Sequence, residues 1–273
     1  MAHAGEAAEQ AAKAAGTNRQ YVADAKKLER DRPDLAAKVK RGEVTILRAK
    51  QQAKLDLRAA ERKQRSAEAA RRLPGGKMFN VHHGDFREWK LPGDDSVSLV
   101  FADPPYDRKS LGLYGDLAKN AARTLQPGGS LICYAGQYLL QDILPLMTPH
   151  LRFWWMSACI HTGQLARMRE YGIVVHWKPL LWFVKDTRGD KDTFIEDAVS
   201  GDREKDAHPW QQAVVEAEHF IDKLTKPGDL VFDPFCGGGT TAVAAKRLKR
   251  NWLTCDVDKE SVVLARQRIQ EDE

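Results

Sequence analysis

Residues 103–106, Asp103-Pro104-Pro105-Tyr106, have the types and spacing of a chemical site; we call them the Asp-Pro-Pro-Tyr turn. They follow the alternating apolar run 96–102, which predicts a buried strand. Proline has no N–H to donate to a ladder, so the strand must end in a stiff turn, at the edge where open α/β sheets place their sites. The turn offers a carboxylate, the outward carbonyl of Pro104 and an aromatic ring. Two acceptors beside a flat surface suit the exocyclic amino group of a nucleobase.

A second turn, residues 233–239, begins with the same Asp-Pro pair and ends in three glycines. The sequence predicts that this glycine turn joins a strand at 230–233 to a helix at 240–248. Glycines at such a junction let the backbone approach a ligand closely. Asp256 lies 23 residues beyond Asp233, at the end of the next predicted strand, where an acidic residue can accept hydrogen bonds from ribose hydroxyls. A dinucleotide-binding fold is the rival interpretation, although its Gly-x-Gly-x-x-Gly spacing differs from three adjacent glycines.

The composition is that of a globular protein. The chain has 273 residues, of which 42% are hydrophobic and 30% charged, enough for one large α/β domain and a small appendage. No apolar run is long enough to span a bilayer and the first residues lack the apolar core of a signal peptide, so we expect a cytoplasmic protein without a membrane partner. The four cysteines form no Cys-x-x-Cys pair, so we expect reduced thiols and no metal site.

The positive charge is concentrated near the amino terminus. Residues 1–76 carry 18 Lys or Arg against 10 Asp or Glu, whereas the whole chain has a net charge of +5, so the remainder is net negative. A basic appendage on a slightly acidic body suggests a polyanionic partner held by the appendage. A solvated charged helix is the alternative, and charge alone does not decide between them.

Helical spacing runs through most of residues 5–72. A first, alanine-rich helix should end at Gly16, and a second should follow it with one apolar face. That face comprises Tyr21, Val22, Ala25 and Leu28. The polar and basic side chains on the other faces are Arg19, Gln20, Lys26 and Lys27. A short helix, a glycine-containing turn and a polar second helix predict a helix-turn-helix, with a small dimerisation or packing element as the alternative.

The run Leu-Pro-Gly-Gly at 73–76 marks a domain boundary. We therefore predict a helical appendage with a linker helix at 1–72 and an α/β domain at 77–273. In the second domain the predicted strands are 78–82, 96–102, 131–134, 153–159, 230–233 and 252–256, and residues 174–184 form either a strand pair or one long bent strand. The predicted helices are 113–125, 139–147, 208–224, 240–248 and 260–269. Such alternation predicts a mostly parallel sheet covered on both faces.

The Asp-Pro-Pro-Tyr turn resembles the catalytic motif of the DNA methyltransferases that modify amino groups with S-adenosylmethionine, and the glycine turn resembles the cofactor motif of the same family. The catalytic motif precedes the cofactor motif, which is the order of the β class, a circular permutation of the usual methyltransferase chain. The resemblance implies a Rossmann-like methyltransferase fold of the α/β class with a mostly parallel sheet. The helical residues 1–72 would be its small all-α appendage.

The resemblance also implies S-adenosylmethionine as cofactor, DNA as substrate and a set of site residues. The implied catalytic residues are Asp103, Pro104, Pro105 and Tyr106. The implied cofactor-binding residues are Asp85, Phe86, Asp103, Pro209, Gln211, Asp233, Pro234, Phe235, Cys236, Gly237, Gly238, Gly239, Thr240, Asp256 and Val257. The family's histidine-proline element departs here, because Trp210 and Gln212 replace its threonine and lysine.

The implied reaction is site-specific methylation of the N6 amino group of adenine in DNA, as in restriction-modification. Asp103 and the Pro104 carbonyl would accept the two amine hydrogens, and Tyr106 would stack on a base that has left the duplex. Adenine is favoured because family members that methylate cytosine at N4 more often begin this motif with serine. A cytosine-N4 enzyme, an RNA adenine methyltransferase and a silent DNA-binding regulator stay open, as does a homodimer, which rests on analogy.

Residues 7–50 resemble the DNA-binding segment of plasmid-partition ParB-type proteins. The resemblance implies that Arg19, Gln20, Lys26 and Lys27 contact DNA. In the β class the recognition segment precedes the histidine-proline element, and here only residues 185–207 are available for it. We therefore expect the appendage to supply part of the DNA affinity. The loop 107–114 and the segment 161–171 are the other candidates for DNA contact.

Overall fold

The computed structural model describes residues 19–72, 80–161, 165–188, 194–201 and 214–272. The chain divides into two compact units, Met1–Ala67 and Glu68–Glu273. This division lies several residues before the boundary expected at 73–76, which is outside the described residues. Within the described parts of the chain, no helix is both long and apolar enough to cross a membrane.

The described residues of the amino-terminal unit form helices α1 (Arg19–Asp31) and α2 (Pro33–Lys40) and most of α3 (Ile46–Arg72). Its small core groups around Leu28, Leu35 and Ile46. The Arg32 guanidinium, just before α2, also donates to Asp56 of α3 at 2.6 Å. Burial and this ion pair fix the three helices against one another. The predicted helix before Gly16 lies outside the described residues.

The predicted apolar face of α1 is only partly right. Leu28 is buried, but 45% of Tyr21 is exposed. The core of the unit forms at the carboxyl end of α1, where α2 and α3 supply Leu35 and Ile46. Tyr21, two turns away, lies beyond that contact.

The second unit is built on an eight-stranded sheet in the order β1-β10-β9-β2-β3-β7-β4-β8. Its strands are β1 (Val81–His83), β2 (Val97–Ala102), β3 (Leu125–Tyr134), β4 (Arg152–His161), β7 (Trp177–Val184), β8 (Ala198–Gly201), β9 (Leu230–Asp233) and β10 (Asn251–Asp256). The first five strands of the order are parallel, whereas β7 is antiparallel to both β3 and β4. A separate antiparallel hairpin consists of β5 (Ala166–Met168) and β6 (Ile173–Val175). The mostly parallel sheet predicted from the sequence is confirmed.

Helices cover both faces of this sheet. They are α4 (Gly112–Thr124), α5 (Leu140–Met147), α6 (Val214–Leu224), α7 (Thr240–Arg247) and α8 (Lys259–Glu271). Side chains of β2 alternate between two cores, with Leu99 and Phe101 on one face and Val100 and Ala102 on the other. Helices α6, α7 and α8 pack on the first face, and α4 and α5 on the second.

Several predicted details are wrong in instructive ways. Strand β3 begins at Leu125, well before the predicted start at 131, because Gly128, at φ +81°, allows an irregularity in the ladder instead of a reversal. Residues 174–184 form neither a simple strand pair nor one bent strand, since β6 belongs to the hairpin and β7 to the main sheet. In α6, half of Val215 is exposed, whereas the neighbouring Glu216 is buried.

Candidate active site

Four neighbouring parallel strands bring the predicted site residues to one edge of the sheet. β10 lies between β1 and β9, and β2 pairs with the other side of β9. Asp256 ends β10 and Asp233 ends β9, while Asp103 directly follows β2. The carboxyl ends of parallel strands point the same way, so the two Asp-Pro turns are adjacent. The fold therefore brings together two Asp-Pro turns that lie far apart in the sequence.

The Asp-Pro-Pro-Tyr turn holds its own side chains together. Asp103 is half-buried and Pro104 is buried. The Tyr106 hydroxyl donates a short hydrogen bond to Oδ1 of Asp103. Burial and the neighbouring Asp103 carboxylate raise the pKa of Tyr106 well above its usual value, so the phenol stays protonated and acts as a donor. This bond orients the carboxylate.

Three residues that sequence reasoning missed surround Tyr106. The Lys178 ammonium lies 5.1 Å from the centre of the Tyr106 ring and 5.7 Å from that of Tyr134, a cation–π geometry. The Tyr138 hydroxyl donates a short hydrogen bond to the carbonyl of Tyr106. A lysine inside an otherwise apolar strand was the one sequence signal that could have drawn attention to Lys178.

The glycine turn is held by carboxylates of the two strands beside it. The backbone N–H of Phe235 donates to Asp233 at 2.9 Å, and that of Gly237 donates to Asp256 at 2.9 Å. Gly239 has a φ of +78° and begins α7 as its N-cap. A Cβ on Gly239 would lie 3.1 Å from Ala265 of α8. Glycine is therefore required at 239 by both backbone conformation and packing.

Gly238 differs from Gly239, because nothing lies within 4 Å of where its Cβ would be. Arg268 of α8 braces this part of the turn from outside the motif, donating to the Gly238 carbonyl at 3.3 Å and to the Thr240 hydroxyl at 2.9 Å. The turn is consequently fixed at its end and open at its middle, where a ligand could approach the backbone.

Asp233 is a buried carboxyl with an unusual proton affinity. Only 5% of the residue is exposed. Burial raises the pKa of Asp233 to about 7, helped by the nearby carboxylates of Asp256 and Asp103, although hydrogen bonds from Thr241 and Phe235 oppose the shift. The effect of Asp103 on Asp233 shows that the two turns are within electrostatic reach of one another.

Gly84 and Asp85, which directly follow β1, lie at the same edge of the sheet. Gly84 donates its N–H to the Asp256 carbonyl at 2.9 Å. Asp85 is paired with the guanidinium of Arg87 at 2.6 Å, and this pairing lowers the pKa of Asp85. The Phe86 ring lies 5.3 Å from the Phe235 ring of the glycine turn. Two apolar rings thus stand beside the cluster of carboxylates.

The remaining predicted residues fall in different places. Pro234 and Cys236 are buried, and burial raises the pKa of the Cys236 thiol. Val257 is 68% exposed beyond the end of β10. Pro209 and Gln211 lie outside the described residues. Of the predicted DNA-binding residues, Gln20, Lys26 and Lys27 are exposed on α1, which belongs to the other unit, and Arg19 begins that helix.

A polar cluster lies under Lys178 on the same face of the sheet. The Tyr134 hydroxyl donates a short hydrogen bond to the buried carboxylate of Glu216. The ligand atoms of Cys159, His161 and Glu216 lie within 4.8 Å of one another. Burial and the Glu216 carboxylate raise the pKa of the Cys159 thiol. The Tyr134 hydroxyl and the Cys159 thiol thus share one buried carboxylate, that of Glu216.

The known proteins to which this chain is similar are DNA methyltransferases. A family model of DNA methylases matches residues 191–267. The type II methyltransferase M2.DpnII of Streptococcus pneumoniae is 43% identical over 242 residues, a match covering 71% of this chain and 90% of that protein. The cytosine-N4-specific PvuII DNA methyltransferase shares the fold with a TM-score of 0.61 at 18% identity, over 70% of this chain and 90% of its own. The M1.HpyAVI–SAM complex shares it with a TM-score of 0.57 at 23% identity, over 70% of this chain and 99% of its own.

Proposed function

Because the chain belongs to the DNA methyltransferases that methylate amino groups, we propose that it transfers the methyl group of S-adenosylmethionine to the N6 amino group of adenine in DNA. The observation that carries this proposal is the adjacency of the two Asp-Pro turns at one sheet edge. One turn offers a carboxylate oriented by Tyr106. The other offers backbone open at Gly238. A bound amine and a bound methyl donor would therefore meet.

The chemistry follows from the poor nucleophilicity of an aromatic amine, whose lone pair is delocalised into the ring. Asp103 and the Pro104 carbonyl accept the two amine hydrogens, which draws the nitrogen toward tetrahedral geometry and frees its lone pair. S-adenosylmethionine, held at the glycine turn, would supply the methyl group and leave as the neutral thioether, and Asp103 would take up the proton that the methylated amine loses to it and to solvent. A carboxylate has about four acceptor positions, so the Tyr106 hydrogen bond is compatible with this role.

The cofactor is cationic, and the sheet edge is acidic. We assign the ribose hydroxyls to Asp256, the ammonium group to Asp233, and an aromatic contact to Phe86 and Phe235. Burial raises the pKa of Asp233 to about 7, whereas an ammonium beside it favours the ionised carboxylate. Cofactor binding at pH 7 should then release a fraction of a proton. Calorimetry in two buffers of different ionisation enthalpy measures that release, and a D233N variant should show less of it.

The proposal is tested with labelled S-adenosylmethionine and three substrates: duplex DNA, single-stranded DNA and RNA. Digestion of the product to nucleosides should give N6-methyladenine from DNA. If N4-methylcytosine formed instead, the target base would be cytosine and not adenine. Labelling of RNA alone would overturn the choice of DNA as substrate. Calorimetric titration without DNA separates a failure to bind the cofactor from a failure of transfer.

The amino-terminal unit is proposed to add affinity for DNA through α1. Lys26 and Lys27 are exposed on α1, whereas the following residue, Leu28, is buried. Replacing both by glutamine should weaken DNA binding and reduce the salt dependence by about 0.9 per lost phosphate contact. A K38Q/K54Q variant, which removes two other exposed lysines of the same unit, is the matched control. Equal effects of both variants would leave only a general charge effect and overturn the assignment to α1.

A further inference from the structure

The hairpin of β5 and β6 is an element that the reaction described above does not use. Arg167 lies opposite Val174 in its ladder, and Met168 lies opposite Ile173. The tip, residues 169–172, is closed by a bond from the Tyr171 N–H to the Met168 carbonyl at 3.2 Å. Gly172, at φ +66°, supplies the left-handed position that such a tip requires. The hairpin is a defined structure outside the eight-stranded sheet.

The tip of the hairpin is connected to the Asp-Pro-Pro-Tyr turn through two aromatic residues. The Tyr171 ring lies 5.7 Å from the Tyr138 ring at an interplanar angle of 32°. Tyr138 in turn donates its hydroxyl to the Tyr106 carbonyl. Tyr171 is therefore linked to the Asp-Pro-Pro-Tyr turn through a single intervening residue, Tyr138.

The exposed side chains of the hairpin include two arginines, one glutamate (Glu170) and apolar or aromatic residues. Arg167 and Arg169 are exposed, and neither forms an ion pair with another described residue. Tyr171 is 44% exposed and Ile173 55% exposed. Arginine binds phosphate oxygens, while an exposed aromatic ring stacks on bases in a sequence-tolerant way. This mixture fits a nucleic acid better than an apolar protein surface, which would leave both guanidinium groups without a partner.

We propose that the hairpin 166–175 holds duplex DNA over the Asp-Pro-Pro-Tyr turn. Arg167 and Arg169 bind backbone phosphates, and Tyr171, supported by Tyr138, packs against the bases next to the target when that base leaves the helix. Extrusion leaves a gap in the base stack, and an aromatic ring can occupy it. This inference rests on the proposed function and names the surface that presents the substrate.

Salt dependence of DNA binding tests the two arginines. An R167Q/R169Q variant should lower the slope of log affinity against log salt by about 2, because each lost phosphate contact contributes about 0.9. The control is K226Q/K249Q, since these exposed lysines precede β9 and β10 and so lie at the opposite edge of the sheet. Unchanged slope in the arginine variant, or an equal change in the control, would overturn the proposal.

A comparison of substrates tests Tyr171. Y171A should lower kcat/KM on duplex DNA about 10- to 100-fold but change it little on single-stranded DNA, in which no base has to be extruded, while Y171F should stay near the wild type. A fluorescent 2-aminopurine at the target position should brighten on binding to the wild type and less with Y171A. Equal losses on both substrates would show that Tyr171 only supports Tyr138 and Tyr106. If the wild type methylates no DNA, the proposed function fails, whereas an active wild type with unaffected variants refutes the hairpin alone.

Discussion

The two Asp-Pro turns begin alike and differ in what their aspartates do. Both follow neighbouring parallel strands, β2 and β9. Asp103 is half-buried and accepts a hydrogen bond from the Tyr106 side chain within the turn. Asp233 is buried and accepts the backbone N–H of Phe235, so it ties its own turn together. The same dipeptide yields an oriented carboxylate in one place and a structural carboxyl in the other.

The residues after each Asp-Pro pair explain this difference. A second proline and a tyrosine keep the first turn stiff and supply a donor for Asp103. The glycines of the second turn let the backbone fold back toward the strand ends, where Asp256 accepts the Gly237 N–H at 2.9 Å. Burial then raises the pKa of Asp233 to about 7. A buried acid near neutrality beside other carboxylates is a site prepared for a cation.

The largest expected effect comes from D103N. An amide at this position can no longer accept both an amine hydrogen and the Tyr106 hydroxyl in the same way, and it carries no charge to take up the developing positive charge. We expect kcat to fall about 10³-fold or more, the size expected for loss of a group that stabilises transition-state charge. Single-turnover methyl transfer to duplex DNA measures the change.

S-adenosylmethionine binding by D103N should fall far less than methyl transfer, because Asp103 is one of many implied cofactor-binding residues and most of the others lie in the glycine turn. Calorimetric titration provides this control. A D103N variant that transfers methyl groups at the wild-type rate would remove the distinction between the two turns.

The next effect concerns the pH dependence of stability and is specific to Asp233. The pKa of the Asp233 carboxyl rises on folding from 3.8 to about 7. The proton on this carboxyl therefore stabilises the folded protein fully below the unfolded-state pKa, and the contribution is lost as the pH rises through 7. Between pH 5 and pH 8 the ligand-free wild type should lose about 2–3 kcal/mol relative to D233N, at about 1.4 kcal/mol per pH unit. Urea unfolding at both pH values measures the difference, since titrations elsewhere are common to the two proteins.

A D103N variant is the control for this measurement. It keeps the buried Asp233 carboxyl and loses only the small contribution of the Asp103 charge to the pKa of Asp233, so its stability should still fall between pH 5 and pH 8. Parallel stability curves for wild type and D233N between pH 5 and pH 8 would mean that Asp233 stays ionised throughout, contrary to its burial.

Sequence reasoning located both turns because each is a run of restricted residues at a strand end. Prolines and glycines limit the backbone locally, so their consequences can be read without tertiary information. Strand order could not be derived in the same way, since pairing of β2 with β9 joins segments about 130 residues apart. That pairing nonetheless creates the site.

The missed residues share one feature, which is that partners far along the chain define their roles. Lys178 is an ordinary lysine until Tyr106 and Tyr134 lie beneath it. Glu216 is a buried acidic residue on α6, and the Tyr134 hydroxyl stabilises its burial. Helical periodicity alone does not predict which polar group will find a buried partner.

A smaller effect separates two adjacent glycines of the second turn. G239A places a Cβ in a left-handed residue at φ +78° and 3.1 Å from Ala265. We expect a loss of about 2 kcal/mol in the free energy of unfolding, from the left-handed backbone and the close contact together. G238A is the matched control, since its Cβ meets no atom within 4 Å. Equal destabilisation of both variants would show that the turn requires glycine for chain flexibility rather than for the contact with α8.

The smallest expected effect separates the ring of Tyr106 from its hydroxyl. Y106F keeps a ring for the base but removes the hydrogen bond that orients Asp103, which should lower kcat about 5- to 10-fold, corresponding to roughly 1 kcal/mol for a single hydrogen bond. Y106A, which also loses the ring, should fall further and raise KM for DNA. Steady-state kinetics on one duplex measure both variants. If Y106F were as impaired as Y106A, the hydroxyl rather than the stacking surface would be the part that matters, and the first turn would work mainly by fixing its carboxylate.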